Sequence, residues 1–181
     1  MIYYIADTHF GHANIIKHCN RPFESVEEMD RTLIHNWNSV VTGKDTVYVV
    51  GDFAFRGASW KEYAAKLRGN KIFLKGNHDK FGEPVPDMLT LKDDGDKIFL
   101  CHYPVCEWEG YFRGVLHFYG HIHNADNLCK ELMDQVPNAY NIGADLIGFT
   151  PRTKKEIIAL GKNETVVRSV EGHPEDAEGM A

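Results

Sequence analysis

The stretch TVYVVGD at residues 46–52 decides the fold, because a short apolar and β-branched run leads directly into a glycine and an aspartate. A continuous run of this kind is typical of a strand that is covered on both faces. Residues 2–6 (IYYIA) precede Asp7 in the same way, and residues 71–75 (KIFLK) precede a Gly-Asn pair. These three runs predict strands that carry polar side chains into loops at one edge of a sheet.

Helical patterns alternate with these runs. Residues 25–41 have apolar side chains at helical spacing, and Ser25 with Glu28 forms a capping box at their start. An alternation of strand, loop and helix predicts an α/β fold. The other predicted elements are a helix at 59–67, a hairpin of strands at 88–91 and 97–101, strands at 115–119, 139–142 and 165–170, and a helix at 153–160.

Five short clusters of metal-ligating side chains follow in order along the chain. The clusters are Asp7 with His9, Asp52, Asn77 with His78, His102, and His121 with His123. Alternate side chains of an extended backbone point the same way, so each pair spaced by two is expected to reach one centre. The glycines at 51 and 76 are expected to adopt φ values closed to other residues and to bring the next side chain close to an ion. A carboxylate between two such groups can bridge two cations.

Together these motifs resemble those of the calcineurin-like metallophosphoesterases, of the small bacterial or phage type. The matching segments are Asp7-Thr8-His9, Gly51-Asp52, Gly76-Asn77-His78-Asp79, His102 and Gly120-His121-Ile122-His123. One Asp-x-His or Gly-Asp match recurs by chance, but five in the family's order are specific. The resemblance implies a four-layer α/β/β/α sandwich with two facing mixed sheets and the ligands gathered at one edge.

The resemblance also implies a role for each residue of the site. Asp7, His9 and His123 would bind a first metal ion, Asn77, His102 and His121 would bind a second, and Asp52 would bridge the two. His78 would protonate the leaving alkoxide or stabilise charge on the phosphoryl oxygens. The nucleophile would be a hydroxide held by both ions, since coordination lowers the pKa of water from 15.7 to about 7. The mixed ligands suit manganese first, with iron, zinc, cobalt or nickel as alternatives.

Two further residues are candidates for binding substrate. Arg56 follows the Gly-Asp motif as in related protein phosphatases, and it would offer its planar guanidinium to two phosphate oxygens or lie at the surface as an ordinary arginine. His12 would touch substrate, support the metal ligands from behind, or lie at the start of a helix.

The residue that orients His78 is left open by the sequence. Phe55 stands where those phosphatases carry the carboxylate that orients their catalytic histidine. We expect Asp79, another neighbour or no residue at all to take this role. The departure argues against a protein phosphatase.

The segment at 103–120 is unusually aromatic for a connection. Its aromatic residues include Tyr103, Trp108, Tyr111 and Phe112. Because it is tethered between two candidate ligands, it is expected to border the site and to stack a base or an aryl group. We expect Tyr111 and Arg113 to set substrate preference, and Trp108 and Phe112 to close the core beneath the loop.

The composition is that of an ordinary globular chain. Of 181 residues, 43% are hydrophobic and 25% are charged, which predicts one domain at residues 1–171 with a polar, disordered tail at 172–181. No apolar run suits a membrane span and the start does not resemble a signal peptide, so a cytoplasmic location is expected. The four cysteines lack the spacing of a zinc or redox site.

The net charge of −6 argues against an extended footprint on a nucleic-acid duplex. The expected partner is a phosphate-ester substrate such as a nucleotide, without a membrane, and the oligomeric state is left open. The predicted function is hydrolysis of a phosphodiester or phosphomonoester of a nucleotide or small organic phosphate. The alternative is a non-catalytic metal-binding scaffold or a protein-interaction module on the same fold.

Overall fold

The computed structural model describes residues 1–55 and 59–161. Its first sheet has three strands in the order β1-β2-β3, which are β1 (Ile2–Ile5), β2 (Thr46–Val50) and β3 (Asn70–Leu74). Both pairings are parallel, with Tyr4 opposite Tyr48 and Tyr48 opposite Ile72. Tyr4 also forms an antiparallel bridge with Arg152. The three strands predicted from the apolar runs are confirmed.

The second sheet has four strands in the order β4-β5-β6-β7, which are β4 (Met88–Asp93), β5 (Asp96–Cys101), β6 (Leu116–Tyr119) and β7 (Ala139–Asn141). The first two form the predicted antiparallel hairpin, with Asp93 opposite Asp96 and a turn in which Asp94 and Gly95 have positive φ. The other two pairings are parallel. This sheet is therefore mixed, as the family resemblance implied.

The described residues form five α-helices, of which four lie between strands and the last follows β7. They are α1 (Ala13–His18), α2 (Val26–Val40), α3 (Trp60–Lys66), α4 (Leu128–Gln135) and α5 (Lys154–Leu160). The Ser25 hydroxyl caps α2 by accepting the Glu28 backbone N–H at 3.2 Å. The Glu28 carboxylate accepts from the backbone N–H of Glu24 rather than of Ser25, so the predicted capping box is only half formed. Thr153 and Glu156 form a full capping box at α5. The predicted helices at 25–41, 59–67 and 153–160 are confirmed.

Helices α1 and α4 were not predicted. The first has only six residues, too few to show a helical period. In α4 only Met133 is fully buried, while Leu128 and Leu132 are exposed, so its leucines do not mark the face that meets the core. The predicted strand at 165–170 and the predicted tail at 172–181 lie outside the described residues.

Three apolar clusters separate the layers. The first packs Met29, Leu33 and Trp37 of α2 against Val47 and Val49 of β2. The second lies between the sheets and joins residues of both, among them Tyr4, Val50, Leu74, Ile98, Leu100 and Phe118. The third packs Met133 of α4 and Trp108 against Tyr119 and Ala139 on the far side of the second sheet. The four-layer α/β/β/α sandwich is therefore confirmed, but the prediction of two mixed sheets is wrong for the first sheet, whose strand pairings among the described residues are parallel.

Candidate metal centre

The ends of five strands deliver the seven predicted ligands to one place. Asp7 follows β1, Asp52 follows β2, Asn77 follows β3, His102 follows β5, and His121 and His123 follow β6. His9 lies two residues beyond Asp7. Because these strands point the same way within each sheet, their carboxyl ends bring side chains from distant parts of the chain together.

The backbone at the ligands is left-handed rather than extended. Five of the seven ligands have positive φ: Asp7 at 57°, His9 at 53°, Asp52 at 52°, His121 at 72° and His123 at 49°. Asp7 and His9, like His121 and His123, therefore reach the centre as predicted, but not through the extended backbone that the prediction assumed. A non-glycine residue in this region costs roughly 1–2 kcal/mol, and such residues cluster at functional sites. The fold maintains this strain where the ligands converge.

The first ligand group contains Asp7, His9 and His123, whose ligand atoms all lie within 4.8 Å of one another. Asp7 and His9 are fully buried, and the side chain of His123 is 16% exposed. The second group contains Asn77, whose Oδ1 lies 3.0 Å from Nε2 of His102 and 2.9 Å from Nδ1 of His121. The structure thus brings together both predicted sets of three.

Asp52 lies between the two groups. Its Oδ2 is 3.6 Å from Nε2 of His9 and 3.4 Å from Nε2 of His102. Its Oδ1 accepts the backbone N–H of His78 at 2.8 Å. One carboxylate oxygen therefore faces a histidine of each group while the other is held by the loop that carries His78.

Two glycines allow this close approach. A methyl group on Gly76 would overlap the carboxylate and backbone of Asp52, and one on Gly51 would overlap the ring of His102. Gly51 has a φ of 83°, as predicted, but Gly76 is not among the glycines with positive φ. Glycine is therefore needed at position 76 because a side chain would collide with Asp52, and not because the backbone has a positive φ.

Arg21 and Asp145 support the first group, and neither was predicted. The Asp145 Oδ2 lies 2.7 Å from Nδ1 of His123, and Nε of Arg21 donates to Oδ1 of Asp145 at 2.7 Å. The Arg21 guanidinium also donates to the backbone oxygens of Asp7 at 2.7 Å and Thr8 at 3.0 Å. Asp145 therefore orients the imidazole of His123, and Arg21 fixes the loop that carries Asp7.

Cys19 lies beside the same pair, since its sulfur and the ligand atoms of His123 and Asp145 are within 4.8 Å of one another. Both oxygens of Asp145 accept from Arg21, at 2.7 and 3.2 Å. A cation there would lie against the guanidinium charge. This trio therefore belongs to the supporting layer of the first group.

In two ligand histidines, His102 and His9, a neighbouring group determines which ring nitrogen carries the proton. Nδ1 of His102 lies 3.0 Å from the backbone oxygen of Val50, to which it donates, so its Nε2 is left facing Asp52. Nδ1 of His9 lies 3.3 Å from Nδ1 of His12. The His12 ring stacks on Phe55 at a centroid distance of 3.6 Å, and burial lowers the pKa of His12 to about 4. A neutral His12 can accept the Nδ1 proton of His9 and leave Nε2 of His9 unprotonated.

Burial gives the first group unusual proton affinities. It raises the pKa of Asp7 to about 6 and lowers the pKa of His9 to about 2. Burial also opposes a charge on His123, but the hydrogen bond with Asp145 and other negative neighbours outweigh it and raise the pKa of His123 to about 10. Without a cation, therefore, burial disfavours the ionised form of Asp7.

The residues fit a pair of divalent ions. Nε2 of His9 is buried and has no hydrogen-bond partner among the described residues. An unpaired buried donor or acceptor costs about 1–3 kcal/mol, which a metal bond would offset. Carboxylate oxygen, amide oxygen and imidazole nitrogen are donors that manganese and its neighbours accept.

Asp79 does not orient His78 in this structure. Its carboxylate accepts the backbone N–H groups of Asp52 at 2.7 Å, Phe53 at 2.9 Å and Gly76 at 2.9 Å. It thus ties the loop after β2 to the loop after β3. Nδ1 of His78 is buried and has no partner in the described part of the chain. Arg56, the other predicted substrate contact, lies outside the described residues.

The aromatic segment differs from its prediction at Phe112. Tyr111 packs on Trp108 at 5.0 Å between ring centroids, and Arg113 lies 3.9 Å from Glu109, while their role in substrate preference stays a prediction. Trp108 is buried as expected, but Phe112 is 85% exposed and does not close the core. Tyr103 instead contacts the ligand rings, with its centroid 4.6 Å from that of His121.

Comparison with known proteins agrees with this geometry. Residues 1–173 match the family model described as calcineurin-like phosphoesterase. An uncharacterized protein of Methanocaldococcus jannaschii is 38% identical over 173 residues, which cover 93% of this chain and 96% of that protein. The Gene 66 protein of Mycobacterium phage L5 is 33% identical over 81 residues, or 42% of this chain and 39% of the phage protein. A solved protein of unknown function from Aquifex aeolicus has a TM-score of 0.70 and 28% identity, covering 88% of this chain and 98% of that one.

Proposed function

The chain belongs to the calcineurin-like phosphoesterase family, and on this basis we propose that it hydrolyses a phosphate ester at a centre of two divalent metal ions. The position of Asp52 carries the proposal. One oxygen of this carboxylate lies 3.6 Å from His9 and 3.4 Å from His102, which belong to different ligand groups. A ligand shared in this way supports a bridge between two ions.

The metal we propose is manganese, with iron, zinc, cobalt or nickel as the other ions that the donor set accepts. Two such ions would supply an acidified water as the nucleophile and would neutralise charge on the phosphoryl oxygens. The chain's own residues prepare for this by burying Asp7 and by holding His9 and His102 with one ring nitrogen each turned to Asp52.

His78 is the proposed proton donor to the leaving oxygen. Its backbone is fixed by the hydrogen bond to Asp52, and its ring centroid lies 5.3 Å from that of His9. Because His78 is partly exposed, its imidazole can reach a bound ester and protonate the alkoxide as the P–O bond breaks. His12 is a positioning residue in this scheme, because it contacts His9.

The substrate class we propose is a nucleotide or a small organic phosphate. The net charge of −6 supports a small footprint over an extended nucleic-acid duplex. Among residues 1–55 and 59–161, no helix has the length and apolarity to cross a bilayer. All four cysteines are free, which supports the proposal of a reducing compartment such as the cytoplasm.

The experiment is hydrolysis of p-nitrophenyl phosphate and bis(p-nitrophenyl) phosphate by protein loaded with manganese. We expect turnover of at least one ester, and a fall of about 100-fold or more in kcat/KM for His78→Ala on an ester with a poorer leaving group, such as phenyl phosphate. His18→Ala is the matched control, because this histidine is exposed at the end of α1.

Calorimetry with manganese on the same proteins separates the two function classes. Binding of two ions without turnover of either ester would favour the metal-binding scaffold or interaction module. Hydrolysis that persists at full rate in an Asp52→Asn variant would contradict the bridged centre.

A further inference from the structure

We propose that Tyr103 forms a subsite for a planar aromatic group, a nucleobase or an aryl ring, carried on the non-reacting ester oxygen of a phosphodiester. This inference rests on the proposed function and names the substrate class of the same site. The supporting observation is that Tyr103 contacts His121, which lies beside the exposed Asn77 of the second ligand group.

The most exposed ligand of the centre belongs to the second group. Asn77 is exposed and His121 and His123 are partly exposed, whereas Asp7, His9 and His102 are fully buried. A substrate therefore approaches past Asn77 and His121. Any side chain at this opening can touch the parts of the substrate that do not react.

Tyr103 lies at this opening. Its ring centroid is 4.6 Å from that of His121 and 5.2 Å from that of His102, with interplanar angles of 62° and 72°. The residue is nevertheless 47% exposed. Its ring thus packs at a steep angle to the ligand rings while much of its surface remains open to a ligand. A tyrosine offers a large rigid contact area at a low entropy cost.

The backbone beyond Tyr103 is anchored to the second sheet. The backbone N–H of Val105 donates to Nε2 of His117 at 3.2 Å, and Nδ1 of His117 lies 3.2 Å from the backbone oxygen of Phe99 in β5. His117 is fully buried in an aromatic cluster. The loop that carries Tyr103 is therefore held in place before substrate arrives, which reduces the ordering cost of binding.

The proposed proton donor contacts rings beside the first ligand group, whereas Tyr103 contacts rings of the second group. The His78 ring is 5.3 Å from the ring of His9 and 5.8 Å from that of Phe55, so it borders the first group. In hydrolysis the P–O bond to the leaving group breaks, water oxygen bonds to phosphorus, and the leaving oxygen takes a proton from this side. A group stacked on Tyr103 therefore belongs to the ester that stays intact. Only a diester has such a second ester group.

The test compares two diesters that share the p-nitrophenyl leaving group. Thymidine 5′-(p-nitrophenyl) phosphate carries a base on the intact ester, and methyl p-nitrophenyl phosphate does not. We expect manganese-loaded wild type to prefer the thymidine ester, and Tyr103→Ala to lower the ratio of the two kcat/KM values about tenfold, because base–aromatic stacking is worth about 1–3 kcal/mol. Tyr103→Phe should keep the ratio.

Phe112→Ala is the matched control, since this aromatic residue of the same segment is 85% exposed and its ring packs on Tyr111. An unchanged ratio in Tyr103→Ala would overturn the subsite. So would a loss of manganese affinity in Tyr103→Ala that accounts for the fall in rate on both esters, because Tyr103 would then support the ligands. If wild type cleaves neither diester but hydrolyses p-nitrophenyl phosphate, the subsite fails and the proposed function stands. If it hydrolyses none of these esters, the proposed function fails as well. Cleavage of both diesters without preference overturns the subsite alone.

Discussion

Replacing Asp7 by asparagine tests whether the metal-free centre opposes folding. Asp7 is fully buried, and burial raises its pKa from 3.8 to about 6. A carboxyl whose folded pKa is raised supports folding only while protonated. In the metal-free protein, the contribution of Asp7 to the free energy of unfolding is therefore complete below about pH 4 and is lost as the pH rises through about 6. A shift of about two pKa units corresponds to about 3 kcal/mol at neutral pH.

The asparagine removes the ionisation but keeps an oxygen for the backbone N–H of His121, which Asp7 accepts at 2.9 Å. We expect the metal-free variant to be about 3 kcal/mol more stable than metal-free wild type at pH 7.5, and about equally stable at pH 4. Urea unfolding in chelator at both pH values measures this. Asp126→Asn is the matched control, because Asp126 is exposed.

Manganese should remove the advantage of the variant. Binding stabilises wild type by about 4.1 kcal/mol at 1,000 times the Kd, whereas the variant lacks a charged ligand and gains less. The reasoning is refuted if the metal-free variant is less stable than wild type at both pH values, or if manganese stabilises both proteins equally.

Three other substitutions probe the supporting residues. Asp145→Asn leaves the buried Arg21 guanidinium without its carboxylate, so we expect urea unfolding to show a free energy of unfolding lower by about 3–5 kcal/mol. A decrease below about 1 kcal/mol would contradict a buried ion pair. Gly76→Ala places a methyl group against the Asp52 carboxylate, and we expect it to abolish manganese-dependent hydrolysis. Gly43→Ala is the control, because its methyl group meets nothing within 4 Å. Equal hydrolysis rates in the two variants would contradict the steric argument. His12→Phe removes the acceptor beside His9, and we expect calorimetry to show at least about tenfold weaker manganese binding; unchanged affinity would exclude a positioning role.

The sequence was sufficient to place the strands and the ligands that follow them. Runs of apolar residues at 2–6 and 46–50 became β1 and β2, because a strand buried on both faces needs apolar side chains at nearly every position. The run at 71–75 became β3, which lies at the end of the sheet and is only partly buried. The order of the motifs then identified which loops converge. The bounds differed by only one or two residues.

The conformation of the ligand loops was not predictable in the same way. An Asp-x-His pair suggested an extended backbone, but Asp7 and His9 both adopt left-handed φ. Residue type says little about such strain, since it is maintained by contacts elsewhere in the fold. Gly76 was identified for the wrong reason, because the space it leaves for Asp52 depends on a loop that is distant in the chain.

The supporting pair could not be found from spacing at all. Arg21 and Asp145 are 124 residues apart, and neither lies in a recurrent motif. Their pairing follows from the approach of the segment after β7 to the first ligand loop. Phe112 was predicted to be buried and is exposed, because an isolated apolar residue does not indicate which of its sides faces water.

The unequal depth of the two ligand groups has a consequence for exchange with the medium. An ion among Asp7, His9 and His123 would have two fully buried ligands, whereas one beside Asn77 and His121 would have an exposed ligand and a partly exposed one. The inner cation would then leave slowly and the outer one quickly. Dialysis against a chelator should accordingly strip the protein in two kinetic phases, with a half-loaded species persisting between them.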